Sequence, residues 1–121
     1  MKIIILAAAL LIAPSLALAQ DLSGSWTVSS SVGTTPITVN CTLVQTGEAL
    51  SGSCAPATGT AGPTAFAGGM VMGSHATWGY DVTFRGQPSH VGFEADITSA
   101  AAMTGVLKLA GKPSPFTATK K

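Results

Sequence analysis

From Leu22 onward the chain alternates. Val39-x-Cys41-x-Leu43, Ala76-x-Trp78-x-Tyr80-x-Val82, Val91-x-Phe93-x-Ala95-x-Ile97 and Met103-x-Gly105-x-Leu107 place apolar or small residues at every second position. A period of two marks a strand with one buried face, and no segment after the first twenty residues combines helical spacing with capping residues. Gly, Pro, Ser and Thr separate the alternating runs. The pattern predicts eight strands, at about 22–29, 36–45, 49–55, 64–72, 76–84, 89–97, 102–109 and 114–120. The fold class expected is all-β: an eight-stranded antiparallel up-and-down β-barrel, preceded by a cleaved signal peptide.

Three Gly-x pairs set the expected registers: Gly47-Glu48, Gly86-Gln87 and Gly111-Lys112. Antiparallel pairing about the first puts Leu43 opposite Gly52 and Cys41 opposite Cys54, at a non-hydrogen-bonded position where α-carbons come closest. Pairing about the second puts Tyr80 opposite Phe93, Val82 opposite Val91 and Trp78 opposite Ala95. Pairing about the third puts Leu107 opposite Phe116. Pro88 and Pro113 lack the N–H that would close the tightest form of the last two turns, so each is expected as a four-residue loop about the same centre. Ser29–Pro36 and Ala55–Thr64 are expected to be longer loops.

One short plan recurs: Leu22-Ser-Gly-Ser-Trp26, Leu50-Ser-Gly-Ser-Cys54, Phe66-Ala-Gly-Gly-Met70 and Met103-Thr-Gly-Val-Leu107. Residues two apart share a strand face, so each central Gly is expected inward between two larger side chains. Glycine there costs strand propensity but lets a strand coil sharply and the opposite wall come near, as a small closed barrel requires.

The first residues change the domain picture. Lys2 followed by an apolar run ending in Ala17-Leu18-Ala19 has the form of a secretory signal peptide over 1–19, leaving 20–121 as a single β-barrel domain. The expected location is therefore exported, periplasmic or extracellular, with no membrane span in the mature chain. Loss of Lys2 leaves Arg85, Lys108, Lys112, Lys120 and Lys121 against Asp21, Glu48, Asp81, Glu94 and Asp96. A neutral, sparsely charged chain offers no electrostatic footprint for nucleic acid. Export makes Cys41 and Cys54 disulfide partners. Two cysteines thirteen apart, with only His75 and His90 elsewhere, make no metal site, and no cofactor is implied.

At Gly24-Ser25-Trp26 the chain resembles the calycin barrels, the lipocalins and avidins, in which a Gly-x-Trp opens the first strand and the Trp closes one barrel end. Gly47–Cys54 is similar to the second avidin hairpin. The departures are specific: the lipocalin Thr-Asp-Tyr is missing, Val28 stands where avidins place a biotin-contacting Asn, Cys54 stands where they place a Tyr, and Met103–Leu109 has no paired Trp. The resemblance implies architecture and does not carry biotin binding.

Trp26, Trp78, Tyr80 and Phe93 are the candidate ligand-lining residues, all inward in this register. Each also has a purely structural reading: Trp26 as the plug of one end, the other three as filling of the interior. His90 is expected on the outer face opposite Thr83, with Asp81 and Arg85 diagonal to it, and His75 in a turn at the other end of that hairpin. No Gly-x-Ser-x-Gly elbow or phosphate loop is present, and Asp81, Glu94 and Asp96 are expected outward, so no catalytic residue is named and an enzyme is not expected. Two functions remain: a secreted non-catalytic binding module for a small apolar ligand, or a protein-interaction domain that meets a protein partner through its loops.

Overall fold

A computed structural model describes residues 21–84 and 86–121, with the backbone alone for Phe84. The expected signal peptide and Arg85 lie outside the described residues. Eight strands close into an antiparallel up-and-down barrel, each paired with its sequence neighbour and β8 with β1. They are β1 (Gly24–Val32), β2 (Thr35–Thr46), β3 (Ala49–Pro56), β4 (Thr64–Met72), β5 (His75–Phe84), β6 (Gln87–Ser99), β7 (Ala102–Leu109) and β8 (Lys112–Lys120). The alternation fixes which side faces in. Trp26, Val28, Cys41, Leu43, Leu50, Trp78, Phe93, Met103, Leu107, Phe116 and Ala118 are all buried.

The first hairpin has the expected register, with Leu43 opposite Gly52 and Cys41 opposite Cys54. The two cysteines form a disulfide with their α-carbons 4.0 Å apart. The other two hairpins differ from expectation by one residue in turn position. Trp78 faces Phe93, Tyr80 faces Val91 and Ala76 faces Ala95. Gly105 faces Phe116 and Leu107 faces Ser114. In the last hairpin Ala110 and Gly111 both have positive φ, 52° and 84°, so the tight turn takes Gly second rather than first. This also answers the proline objection. Pro88 and Pro113 become the second residues of their strands, opposite Thr83 and Lys108, at positions that donate nothing to the hairpin partner. The inward face is preserved because partners move by two.

Two loop expectations are corrected. Ser29–Pro36 is not a loop: β1 and β2 pair through to Val32↔Thr35, leaving Gly33-Thr34 as the turn. The second loop is shorter than Ala55–Thr64, since β3 runs to Pro56 and β4 begins at Thr64.

The Gly motif holds in β3 and β7. A Cβ on Gly52 would overlap the carbonyl oxygen of Thr42, and one on Gly105 that of Glu94. The close approach is by the neighbouring strand's backbone rather than by the opposite wall. In β4 the expectation fails. The β3–β4 register shifts between Leu50↔Gly69 and Gly52↔Phe66, and Gly68 takes φ +85°. The bulge turns Gly69 and Val71 inward and leaves Met70 exposed.

Two of the eight seams are laddered over part of their length. β4 pairs with β5 only at Met70↔Thr77, Val71↔Ala76 and Met72↔His75. β1 pairs with β8 only from Trp26↔Lys120 to Ser29↔Thr117. Both ladders occupy the half of the barrel near the chain's N-terminal strand start and stop short of the opposite end. That opposite end, here called the mouth, carries the Gly33-Thr34 turn, the 57–63 loop and the turns after β5 and β7.

Candidate functional site

The interior is filled unevenly along its axis. At the closed end Trp26, Leu22, Leu43 and Met103 all belong to the buried core, and the Trp26 indole Nε1–H donates to the Leu22 carbonyl at 2.8 Å. Leu22 is itself held by its backbone N–H, which donates to Gln45 Oε1 at 2.9 Å. In mid-barrel Trp78 stacks on Phe93 with ring centroids 4.8 Å apart and planes 9° off parallel. Phe116 meets both edge-on, at 6.5 Å and 5.7 Å. Tyr80 lies 5.9 Å from Phe93 and 6.4 Å from Phe66. Offset and edge-to-face pairs of this kind fill volume and add attraction between ring quadrupoles. Trp78 Nε1 is buried with no acceptor among the described residues, in contrast to Trp26.

Above this aromatic layer the mouth opens into a cavity of about 650 Å³. Val39, Tyr80, Val91, Leu107 and Leu109 form its apolar wall, while Thr35, Thr38, Thr58, Thr64 and Thr83 also border it. Of the four sequence candidates only Tyr80 lines it. Trp26 belongs to the closed end, and Trp78 and Phe93 form the layer below. Val39, Leu107 and Leu109 were not singled out from sequence as lining residues, and the 57–63 segment was expected as a loop that could meet a protein partner rather than as part of a cavity wall. Alternation shows which residues face in but not how high each lies, because height depends on the stagger accumulated around the barrel.

Tyr80 is the one titratable side chain among the described residues that border this space. Burial pushes its phenol up to about 12, since the phenolate would lose its hydration there. It is a neutral hydroxyl over the whole ordinary pH range. Apolar walls with a few hydroxyl groups suit a small, mostly apolar molecule carrying a polar end.

The outer face holds the histidines. His90 is opposite Asp81, not Thr83, and its Nδ1 lies 2.8 Å from Asp81 Oδ1. The register shift causes this difference, and the expected Arg85 neighbour is outside the described residues. His75 opens β5 rather than occupying a turn, and its Nδ1 lies 3.0 Å from Asp96 Oδ1. A depression of about 410 Å³ runs beside His90 over Gly79 and Gly92, reaching the exposed Glu94–Lys108 pair at 3.4 Å. Both His–Asp pairs are solvent-exposed, as outward strand positions of a barrel normally are. Among the described residues no three His, Cys, Asp or Glu side chains are grouped to hold a metal ion.

No protein-family model matches the chain, and no curated protein matches it. Among solved structures the chain is similar to a redesigned beta barrel, with a TM-score of 0.58 over 83% of this chain and 90% of that one at 12% sequence identity. A likeness at that identity concerns the fold alone. The eight-stranded antiparallel barrel is shared with it, while the calycin resemblance rests on the Gly24–Trp26 and Gly47–Cys54 patterns and gains no relative.

Proposed function

We propose that the chain is an exported, non-catalytic binding module that holds a small, largely apolar ligand in the mouth cavity. The observation that supports this is the contrast along one axis. The closed end and middle are packed with Leu, Met and aromatic side chains, whereas the mouth retains about 650 Å³ bounded by Val39, Tyr80, Val91, Leu107 and Leu109. That volume lies within the range of small-molecule sites. Export is supported by the apolar 1–19 segment and by the Cys41–Cys54 disulfide, which suits an oxidising compartment. Native mass spectrometry of the exported, gently purified protein tests the reading. A species heavier than the bare oxidised chain, lost on denaturation, is expected. A bare mass, with no uptake of added apolar molecules, would remove the proposal.

A second reading, a protein-interaction domain, is favoured by one feature: residues 57–63 are exposed throughout and stand at the mouth. Loops on a rigid scaffold are the usual carriers of partner contacts. Shortening 57–63 would then abolish partner capture while leaving ligand uptake by the deeper walls intact; the opposite result supports the cavity reading.

A further inference from the structure

The two partly laddered seams differ at the mouth. On the β4–β5 side, Phe66 and Tyr80 stand across the wall from each other with ring centroids 6.4 Å apart. On the β1–β8 side, the ladder stops at Ser29↔Thr117. Proline accounts for this. In the β7–β8 hairpin, residues 112, 114 and 116 direct their backbone groups toward β7, so 113 and 115 direct theirs toward β1. Both are proline and have no N–H to give. Beyond the ladder the Ser30 hydroxyl donates to the Pro115 carbonyl at 2.8 Å.

A second recess, about 300 Å³, occupies this end of the seam. It is lined by Gly33, Lys112, Pro113 and Ser114, and it shares Val32, Leu107 and Leu109 with the mouth cavity. The two spaces are therefore adjoining compartments, one walled by apolar side chains and one carrying an ammonium group. Lys112 makes no ion pair among the described residues, whereas Lys108 is paired with Glu94. None of Asp21, Glu48, Asp81, Glu94 and Asp96 lines either compartment.

We propose that the β1–β8 recess is a head-group site and that the ligand of the mouth cavity is an amphipathic carboxylate. Its apolar body lies between Val39, Tyr80, Val91, Leu107 and Leu109, and its carboxylate meets Lys112 Nζ and the Ser114 hydroxyl at the lip. This deepens the cavity-binding reading and rests on it. The head stays at the water boundary, so its charge is not buried, and the tail supplies most of the binding through removal of apolar surface from water. An unpaired ammonium at the lip then selects the anion over a neutral molecule of the same length.

The test uses decanoate and 1-decanol as probes, displacing a neutral fluorescent dye from the oxidised protein at pH 7.5 and low salt. Decanoate is expected to bind about fivefold more tightly than decanol, the upper end of what a lip-exposed ion pair supplies. Lys112→Met should erase that preference, lowering decanoate affinity relative to decanol affinity, with the melting temperature confirming that the exposed turn still folds. Lys121→Met, at the opposite end of the barrel, should keep the preference. Raising NaCl to about 0.5 M should shrink it in the unmodified protein by screening the pair. Equal affinity for the two probes, or a preference that survives Lys112→Met, would overturn the head-group site while leaving the cavity reading standing. Failure of both probes to displace the dye would overturn both.

Discussion

Trp26 and Trp78 are the same residue type on inward strand positions, yet their indole N–H groups fare differently. Trp26 donates to Leu22, and Trp78 has no acceptor among the described residues. Replacing Trp26 by Phe removes a buried hydrogen bond and leaves a carbonyl unsatisfied, whereas Trp78→Phe removes a donor that was already unpaired. Both lose similar volume. Trp26→Phe is therefore expected to cost about 1–2 kcal/mol more than Trp78→Phe in urea denaturation. Equal costs would show that Trp78 finds a partner in solution. Tyr80 gives a second residue-scale expectation, made clean because it is the single tyrosine of the chain. Its phenol is raised to about 12 from the ordinary tyrosine value of 10.0, so the folded state holds a proton that the unfolded chain releases first. Its contribution to stability is full below pH 10 and is lost as pH rises from 10 toward 12. Absorbance of the folded protein at 295 nm should show phenolate appearing near pH 12, and Tyr80→Phe should flatten the alkaline loss of stability. A midpoint near 10 in the folded protein would mean that Tyr80 is solvated rather than set in the cavity wall.

At the scale of the element, alternation was sufficient for the number of strands, their approximate extents and their inward faces. Turn chemistry was less legible. Gly47 at the first turn position, with φ 63°, agrees with the simple Gly-x rule. The β7–β8 turn instead sets Ala110 at positive φ before Gly111, a choice that alanine does not advertise in sequence because the conformation is strained for it. The prolines were the usable signal: Pro113 opposed the register centred on Gly111-Lys112, and moving the turn back by one residue removes the conflict. Ala110→Gly is accordingly expected to stabilise the protein by roughly 0.5–1 kcal/mol, seen as a higher melting temperature, while a loss of stability would contradict the two-residue turn. The β4 bulge was hidden for a similar reason. Gly68 and Gly69 are interchangeable in an alternation pattern, and only the pairing with Leu50 and Phe66 decides which of them turns inward.

For the whole molecule, the closed barrel was legible because four elements of the sequence agree: eight alternating runs, inward glycines, turn residues between runs and a cysteine pair that meets across one hairpin. The site was less so, since the difference between a packed bottom and an open mouth arises from stagger around the full circuit. The disulfide ties β2 to β3 beside that mouth, with Cys54 in the cavity wall. Closing a loop of thirteen residues' separation should stabilise the fold by about 3 kcal/mol, most of it through restriction of the unfolded chain. Cys41→Ala/Cys54→Ala should lower the urea midpoint accordingly, and an unchanged midpoint would mean that the barrel ladders alone hold this end.

Ligand entry at the mouth, with the closed end left packed, can be followed through the backbone and indole N–H resonances during titration with decanol. The two tryptophan indoles are built-in reporters. Shifts are expected at Val39, Tyr80, Val91, Leu107 and Leu109, with a smaller shift at the Trp78 indole beneath them and none at the Trp26 indole. Shifts at Trp26 equal to those at the mouth, or a spectrum that does not change, would contradict ligand entry at the mouth.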